Sequence, residues 1–306
     1  MSAMDRRAFL KCAALAAVAA SSAQPSEKVA RVVPNAPALN APNSATALID
    51  TNVYLSRWPF RRVPLDQTPL LLAQLKRYGV TSAWTGSFDA LLQRDLSAVN
   101  LRLAEACAAE GEGRLVAFGC VNPMLPDWEE DLRRCHEVHR MPGIRLHPDF
   151  HGYSLDDPAF RSLFAGAAAR GLIVQIALGM EDPRTQPQLA RLAPPHPGPL
   201  LDLLPAFPSA KVVLLNYFRT YGSNRVLLVR LAAQPQITFD LAMVEGLMGL
   251  QTLTADVPTV RLLFGSYLPY YNFESSWLKL QESVLTPERL VAIRFGNARA
   301  VLGGAI

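Results

Sequence analysis

The sequence predicts an α/β protein built as a single-domain (β/α)8 barrel, the TIM-barrel arrangement. Three observations point there. Eight short apolar runs alternate with helical patterns along the chain. The region that carries them, residues 46–303, has the length of one such barrel. The runs end in polar residues, as expected where barrel strands hand over to the loops that hold chemistry. A doubly wound sheet is the competing arrangement, but no Gly-rich phosphate loop follows any run.

The strands are expected at 46–50 (TALID), 81–86 (TSAWTG), 115–121 (LVAFGCV), 143–147 (GIRLH), 172–178 (LIVQIAL), 211–217 (KVVLLNY), 237–242 (ITFDLA) and 261–266 (RLLFGS). Helical patterns fill the intervals. The first, TPLLLAQLKRYG, has Thr68 as cap, Pro69 at the first position and Gly79 as stop. RDLSAVNLRLAEACAAEG and DWEEDLRRCHEVHR follow, each with an acidic residue early in the helix. DPAFRSLFAGAAARG, PLLDLLPAF, SNRVLLVRLAAQ and VEGLMGLQTL complete the series, with a helical tail after 273.

The N-terminus reads as an address. Arg6 and Arg7 precede Phe9-Leu10-Lys11, an apolar run to Ala20 and small residues. That is a signal of the twin-arginine kind, with cleavage expected after Ala23. The run is too short to span a bilayer comfortably. Residues 24–45, rich in Pro, Ala and Asn, read as a flexible linker. The expected location is periplasmic or otherwise extracytoplasmic, with the twin-arginine export machinery as a partner. The formal charge of +4 falls by two when Arg6, Arg7, Lys11 and Asp5 leave with the signal. No nucleic-acid or membrane-surface field is implied, and nothing later reads as a membrane span. Cys107, Cys120 and Cys135 remain, an odd number without paired metal-ligand spacing, so no disulfide framework is expected.

Strand ends supply the candidate chemistry. They offer Asp50, Asn52 and Tyr54 on strand 1, Arg145 and His147 on strand 4, Gln175 on strand 5, Asn216 on strand 6, Asp240 on strand 7 and Tyr267 on strand 8. Several of these stretches carry a family likeness: ALIDTNVYL, MPGIRLHPDFHGYSLDDPAF, RGLIVQIAL, AKVVLLNYF, VRLLFGSYLPYY and FGNARAVLG. Over residues 46–303 the chain resembles the amidohydrolase-2 family of the TIM-barrel metal-dependent hydrolase superfamily. The resemblance implies hydrolysis or decarboxylation of small substrates, usually with one zinc-type divalent ion. It also implies a metal site built from Ile-Asp-x-His-x-His on strand 1, histidines ending strands 5 and 6, and an Asp after Phe-Gly-Ser on strand 8. Here those places hold Asn52, Tyr54, Gln175 or Ala177, Asn216 and Tyr267. Amides and neutral phenols are poor ligands for zinc. The expectation is a degenerate site and a protein without a metal cofactor.

Candidate roles follow. Asp240, the lone charge in strand 7, is the first choice for a general base, with Asp182 the second. His147 serves acid–base work, and Arg145 receives a substrate carboxylate. Asn52, Tyr54 and Tyr267 orient the substrate. Glu181 and Arg184 line the mouth from the loop after strand 5, and Trp58 from the loop after strand 1. His147 and His151 enclose Asp149 in an H-x-D-x-H pattern, but Pro148 is expected to break the helical register that i,i+4 ligation needs. Cys135, His136 and His139 sit on an outer helix, which suits packing better than ligation. The function expected is an exported hydrolase of a small carbonyl compound (a lactone, an amide or a carboxylated ring) working without a metal. The alternative is a catalytically inactive barrel that binds a ligand or serves as a scaffold.

Overall fold

A computed structural model describes residues 47–303, except Pro183, Leu189 and Ala190. The export signal expected at 1–23 and the linker expected at 24–45 lie outside the described residues.

Among the described residues there are eight parallel strands: β1 (Leu48–Leu55), β2 (Val80–Ser87), β3 (Leu115–Ala117), β4 (Gly143–Leu146), β5 (Ile173–Ala177), β6 (Lys211–Leu215), β7 (Ile237–Asp240) and β8 (Leu262–Leu263). They pair in two runs, β1-β2-β3 and β4 through β8. Two seams close the ring. Arg145 N donates to Gly119 O at 2.7 Å between the third and fourth strands, where Gly119 and Ile144 form a bridge. Thr51 N donates to Phe264 O at 2.9 Å and Tyr54 N to Leu268 O at 2.8 Å between the eighth and the first. The barrel expected from the alternating runs is therefore the barrel observed. Most strands are shorter than their apolar runs, because ladder pairing ends before the apolar residues do. β1 and β2 are the exceptions: β1 runs on through Tyr54 to Leu55, and β2 spans Val80–Ser87.

Local sequence explains the helices that follow. α1 (Thr68–Arg77) opens with Pro69 in its first turn and faces the sheet with Leu71, Leu72 and Leu75. Thr68 is its first residue rather than its cap, which is Gln67. α2 (Leu96–Glu110) is capped by Asp95, whose side chain accepts from Ala98 N. α3 (Trp128–Arg133) widens into a π turn over Arg134–Val138 that buries Cys135. α4 is a single turn, Pro148–His151. α5 (Pro158–Ala169) combines Asp157 as cap with Pro158 in its first turn. Among the described residues, no helix is long and apolar enough to cross a membrane.

The barrel interior is layered. Ile49, Trp84, Phe118, Ile173, Val213 and Leu263 fill the lower end. Polar side chains from β1, β4, β5 and β7 occupy the middle. An aromatic layer of Tyr54, Trp58, Phe88 and Tyr267, with Met180, covers the end where the strands finish.

Candidate functional site

The middle layer begins with Arg145, which is completely buried. Its Nε donates to Gln175 Oε1 at 2.7 Å, and Nη1 donates to Val53 O at 2.6 Å. Nη2 reaches Trp84 O at 2.8 Å and Thr51 O at 3.3 Å. The guanidinium also lies 4.4 Å from the Tyr54 ring centroid. Gln175 completes the brace by donating to Thr51 O at 2.9 Å. The fork is consumed by the barrel's own carbonyls, so Arg145 is a strut and not the carboxylate contact the sequence suggested.

Asn52, Asn216 and Asp240 form the next network. The Asn52 amide nitrogen donates to Asp240 Oδ2 at 2.7 Å and to Asn216 Oδ1 at 2.9 Å. Asn216 N donates to Asp240 Oδ1 at 2.8 Å. Asp50 Oδ1 accepts from Asn52 N and Ser266 N, while its Oδ2 is buried without a partner. Burial pushes the Asp240 carboxyl up to about 6 and that of Asp50 up to about 7. Both Asp240 oxygens are bonded and the residue is wholly shut away. The general-base role expected of Asp240 is therefore corrected: it ties β1, β6 and β7 together.

The two tyrosines expected to orient substrate close the axis instead. Tyr54 stacks on Phe88 with ring centroids 4.5 Å apart, and its hydroxyl lies 3.1 Å from His147 Nε2. Tyr267 meets Tyr54 edge-on and donates to Met180 O at 2.6 Å. Both are fully buried. Trp58 packs edge-on against Phe60, Phe88, Phe150 and Tyr270 and is also buried, so it belongs to this plug rather than to a ligand surface.

Beside the plug, the loops after β4 to β7 enclose a cleft of about 340 Å³. Asp149, Glu181, Arg184, Arg219 and Glu245 supply its charges. Glu181 faces Arg61 at 3.4 Å with one oxygen and leaves the other buried without a partner. Arg219 binds Asp182, donates to Tyr271 Oη at 3.0 Å and holds Glu245 loosely at 3.4 Å. Asp182 also receives the fork of Arg184, whose side chain is 86% exposed. These hydrogen bonds pull its carboxyl well below the usual range. A carboxylate held ionised this firmly is a poor proton acceptor, so Asp182 is corrected from base to anchor. Burial drives Asp149 the other way, up to about 7.

A family model described as amidohydrolase matches residues 60–304. The chain belongs to this amidohydrolase family. No curated protein matches its sequence. Several solved structures share its fold. 2,6-Dihydroxybenzoate decarboxylase from Rhizobium superposes with a TM-score of 0.65 at 14% identity, covering 84% of this chain and 98% of that one. 5-Carboxyvanillate decarboxylase from Sphingomonas paucimobilis gives 0.65 at 15%, covering 85% and 99%. A dihydroxybenzoic acid decarboxylase from a Polaromonas species, with bound manganese and the inhibitor 2-nitroresorcinol, gives 0.64 at 14%, covering 84% and 97%.

At the amidohydrolase ligand positions on the barrel axis, the residues of this chain do not fit a metal. The Asn52 and Asn216 amides are committed to Asp240 and to one another, and Tyr54 and Tyr267 are closed into the plug. The expectation that the protein lacks a metal group is nevertheless corrected. Cys120, His147 and His151 each present a ligand atom, all within 4.8 Å of one another, and the Polaromonas structure of the same fold holds manganese. Nor does Pro148 break the helical register. Proline at the first helical position is pre-organised for the turn, and His151 N donates to His147 O at 3.0 Å. The H-x-D-x-H pattern is thus one helical turn.

Sequence reasoning placed Asn52, Tyr54, His147 and Asp240 at strand ends, and the structure brings Asn52 against Asp240 and Tyr54 against His147. It missed Cys120, Arg219 and the cleft role of Asp149. The H-x-D-x-H pattern was the available signal for Asp149. Cys120 and Arg219 carried none, because their partners are distant in sequence.

Proposed function

We propose that this amidohydrolase is an exported enzyme that acts on a small carbonyl compound bearing a carboxylate, such as a carboxylated ring. The cleft carries the reading. It lies where barrel enzymes keep their chemistry, and its volume falls within the roughly 300–1,000 Å³ usual for small-molecule sites. In it, Arg219, beside the exposed Arg184, offers a cation to a ligand carboxylate. Its contact with the exposed Glu245 is long and solvent-screened, hence weak and displaceable. Beside the exposed Glu245, Asp149 and Glu181 are the carboxylates in the cleft wall. Asp149 is placed to take a proton from water attacking the carbonyl, and the unpartnered Glu181 oxygen to accept from a ligand hydroxyl or amide. The test is a turnover screen of lactones, esters, amides and carboxylated aromatic compounds. Asp149→Asn is expected to lower kcat by about 10²–10⁴-fold, and Arg219→Ala to raise KM. Unchanged turnover in Asp149→Asn would sink the reading.

A second reading is a barrel that binds a ligand without turning it over. The closure of the axis by Tyr54 and Tyr267 favours it. Calorimetric binding of a compound that survives prolonged incubation intact would support this second reading against the first.

A further inference from the structure

We propose that Cys120, His147 and His151 form a binding site for a thiophilic transition-metal ion of the zinc type, apart from the barrel-axis positions that the amidohydrolase family uses. The geometry of the three side chains points to it. Cys120 Sγ lies 3.6 Å from His147 Nδ1, and the three ligand atoms span no more than 4.8 Å. Around a zinc with bonds of about 2.0–2.3 Å, tetrahedral ligands stand roughly 3.3–3.8 Å apart. Closing this trio on an ion therefore needs side-chain adjustment and no rearrangement of the backbone.

Each ligand is held from behind. His151 Nε2 donates to Ala90 O at 2.9 Å, which fixes the tautomer and leaves Nδ1 with its lone pair. That Nδ1 is buried and has no partner. A packing role for the ring does not account for an orphaned acceptor; a cation beside it does. His147 is held through Nε2 by the Tyr54 hydroxyl at 3.1 Å, so its Nδ1 also faces the thiol. The Cys120 backbone is clamped on both sides by one amide. Asn100 Oδ1 accepts from Cys120 N at 2.7 Å, and Asn100 Nδ2 donates to Cys120 O at 2.8 Å.

The donor set selects the ion. One thiolate and two imidazoles suit zinc and its chemical relatives, whereas magnesium and calcium prefer oxygen ligands. Binding deprotonates Cys120, and the thiol proton passes to solvent. Three protein ligands leave one coordination position for a further group.

The site stands independently of the cleft reading, because its test reads a spectrum and not turnover. The full chain, stripped of metal under reducing conditions, is titrated with Co²⁺. The expected result is uptake of one equivalent, with a sulfur-to-cobalt charge-transfer absorption that Zn²⁺ competes away. Cys120→Ser abolishes that absorption. Tyr54→Phe keeps the stack on Phe88 and the absorption, yet weakens affinity by about 10–100-fold. His151→Gln, at a partly exposed residue, covers the case in which Cys120→Ser does not fold, and it too abolishes stoichiometric uptake. No uptake by the unmodified chain, or uptake unchanged in a folded Cys120→Ser or His151→Gln protein, overturns the proposal.

Discussion

Arg145 takes its hydrogen-bond partners from three other strands, β1, β2 and β5, the most distant 94 positions away in sequence. Removing it takes the side-chain donor from the Val53 and Trp84 carbonyls and from Gln175 Oε1 in a dry interior, while Thr51 O keeps Gln175 Nε2. Arg145→Met is therefore expected to destabilise the fold by about 3–5 kcal/mol, because each buried polar group left without a partner costs about 1–3 kcal/mol. Denaturant unfolding monitored by tryptophan fluorescence would measure it, and a loss below about 1 kcal/mol would refute the strut. Asp50 makes the second residue-scale prediction. Its folded-state pKa, about 7, lies above the unfolded reference of 3.8. The unfolded chain therefore releases this proton first as pH rises. Stability from the protonated group is fully present below pH 4 and is lost as pH climbs to about 7; Asp240 contributes in the same direction up to about 6. One such proton gives a slope of up to about 1.4 kcal/mol per pH unit. Asp50→Asn keeps an acceptor for Asn52 N and Ser266 N and should flatten that slope in unfolding curves between pH 4 and 7.

At the scale of the elements, β2 and β1 show how the middle layer finds room. A Cβ at Gly86 would stand 2.8 Å from Arg145 Cδ and 3.0 Å from Nη1, so β2 needs a glycine where the guanidinium crosses it. Gly86→Ala should cost about 1–3 kcal/mol by overpacking, read as a lowered Tm. The same change combined with Arg145→Met should cost less than the sum of the two, because the clash disappears with the side chain. β1 carries a register shift between Asp50 and Val53 against β2. A bulge of this kind breaks strict alternation, yet Asn52 and Tyr54 both face the barrel interior, against Asp240 and His147. The α4 turn corrects a different rule. Pro148 ends a strand and also starts a helix, and only the second property matters for His147 and His151.

For the whole molecule, ring closure puts ends of the chain's strands side by side that sequence keeps far apart. β8 meets β1 through Thr51 and Phe264, and the cleft draws on four successive loops. The N-terminal stretch supplies the prediction at this scale. If Arg6 and Arg7 address the twin-arginine route, replacing both with lysine in the full chain should sharply reduce the amount recovered outside the cytoplasm, measured by fractionation. Equal recovery would remove the export proposal.

The sequence by itself determined the barrel, because each strand is a short apolar run bounded by polar residues and several of the helices between them carry their own start signal. It also determined that the amidohydrolase ligand places on the axis hold amides and phenols. Tertiary structure alone decided what those replacements do. Whether a buried arginine meets a ligand or a backbone carbonyl depends on partners brought in from other strands. The same holds for an aspartate whose carboxyl burial pushes up to about 6 inside a bonded network and one paired with two arginines. Cys120 shows the limit most clearly: it stands 27 residues from His147 in the chain, and only the seam between β3 and β4 sets its sulfur against that ring.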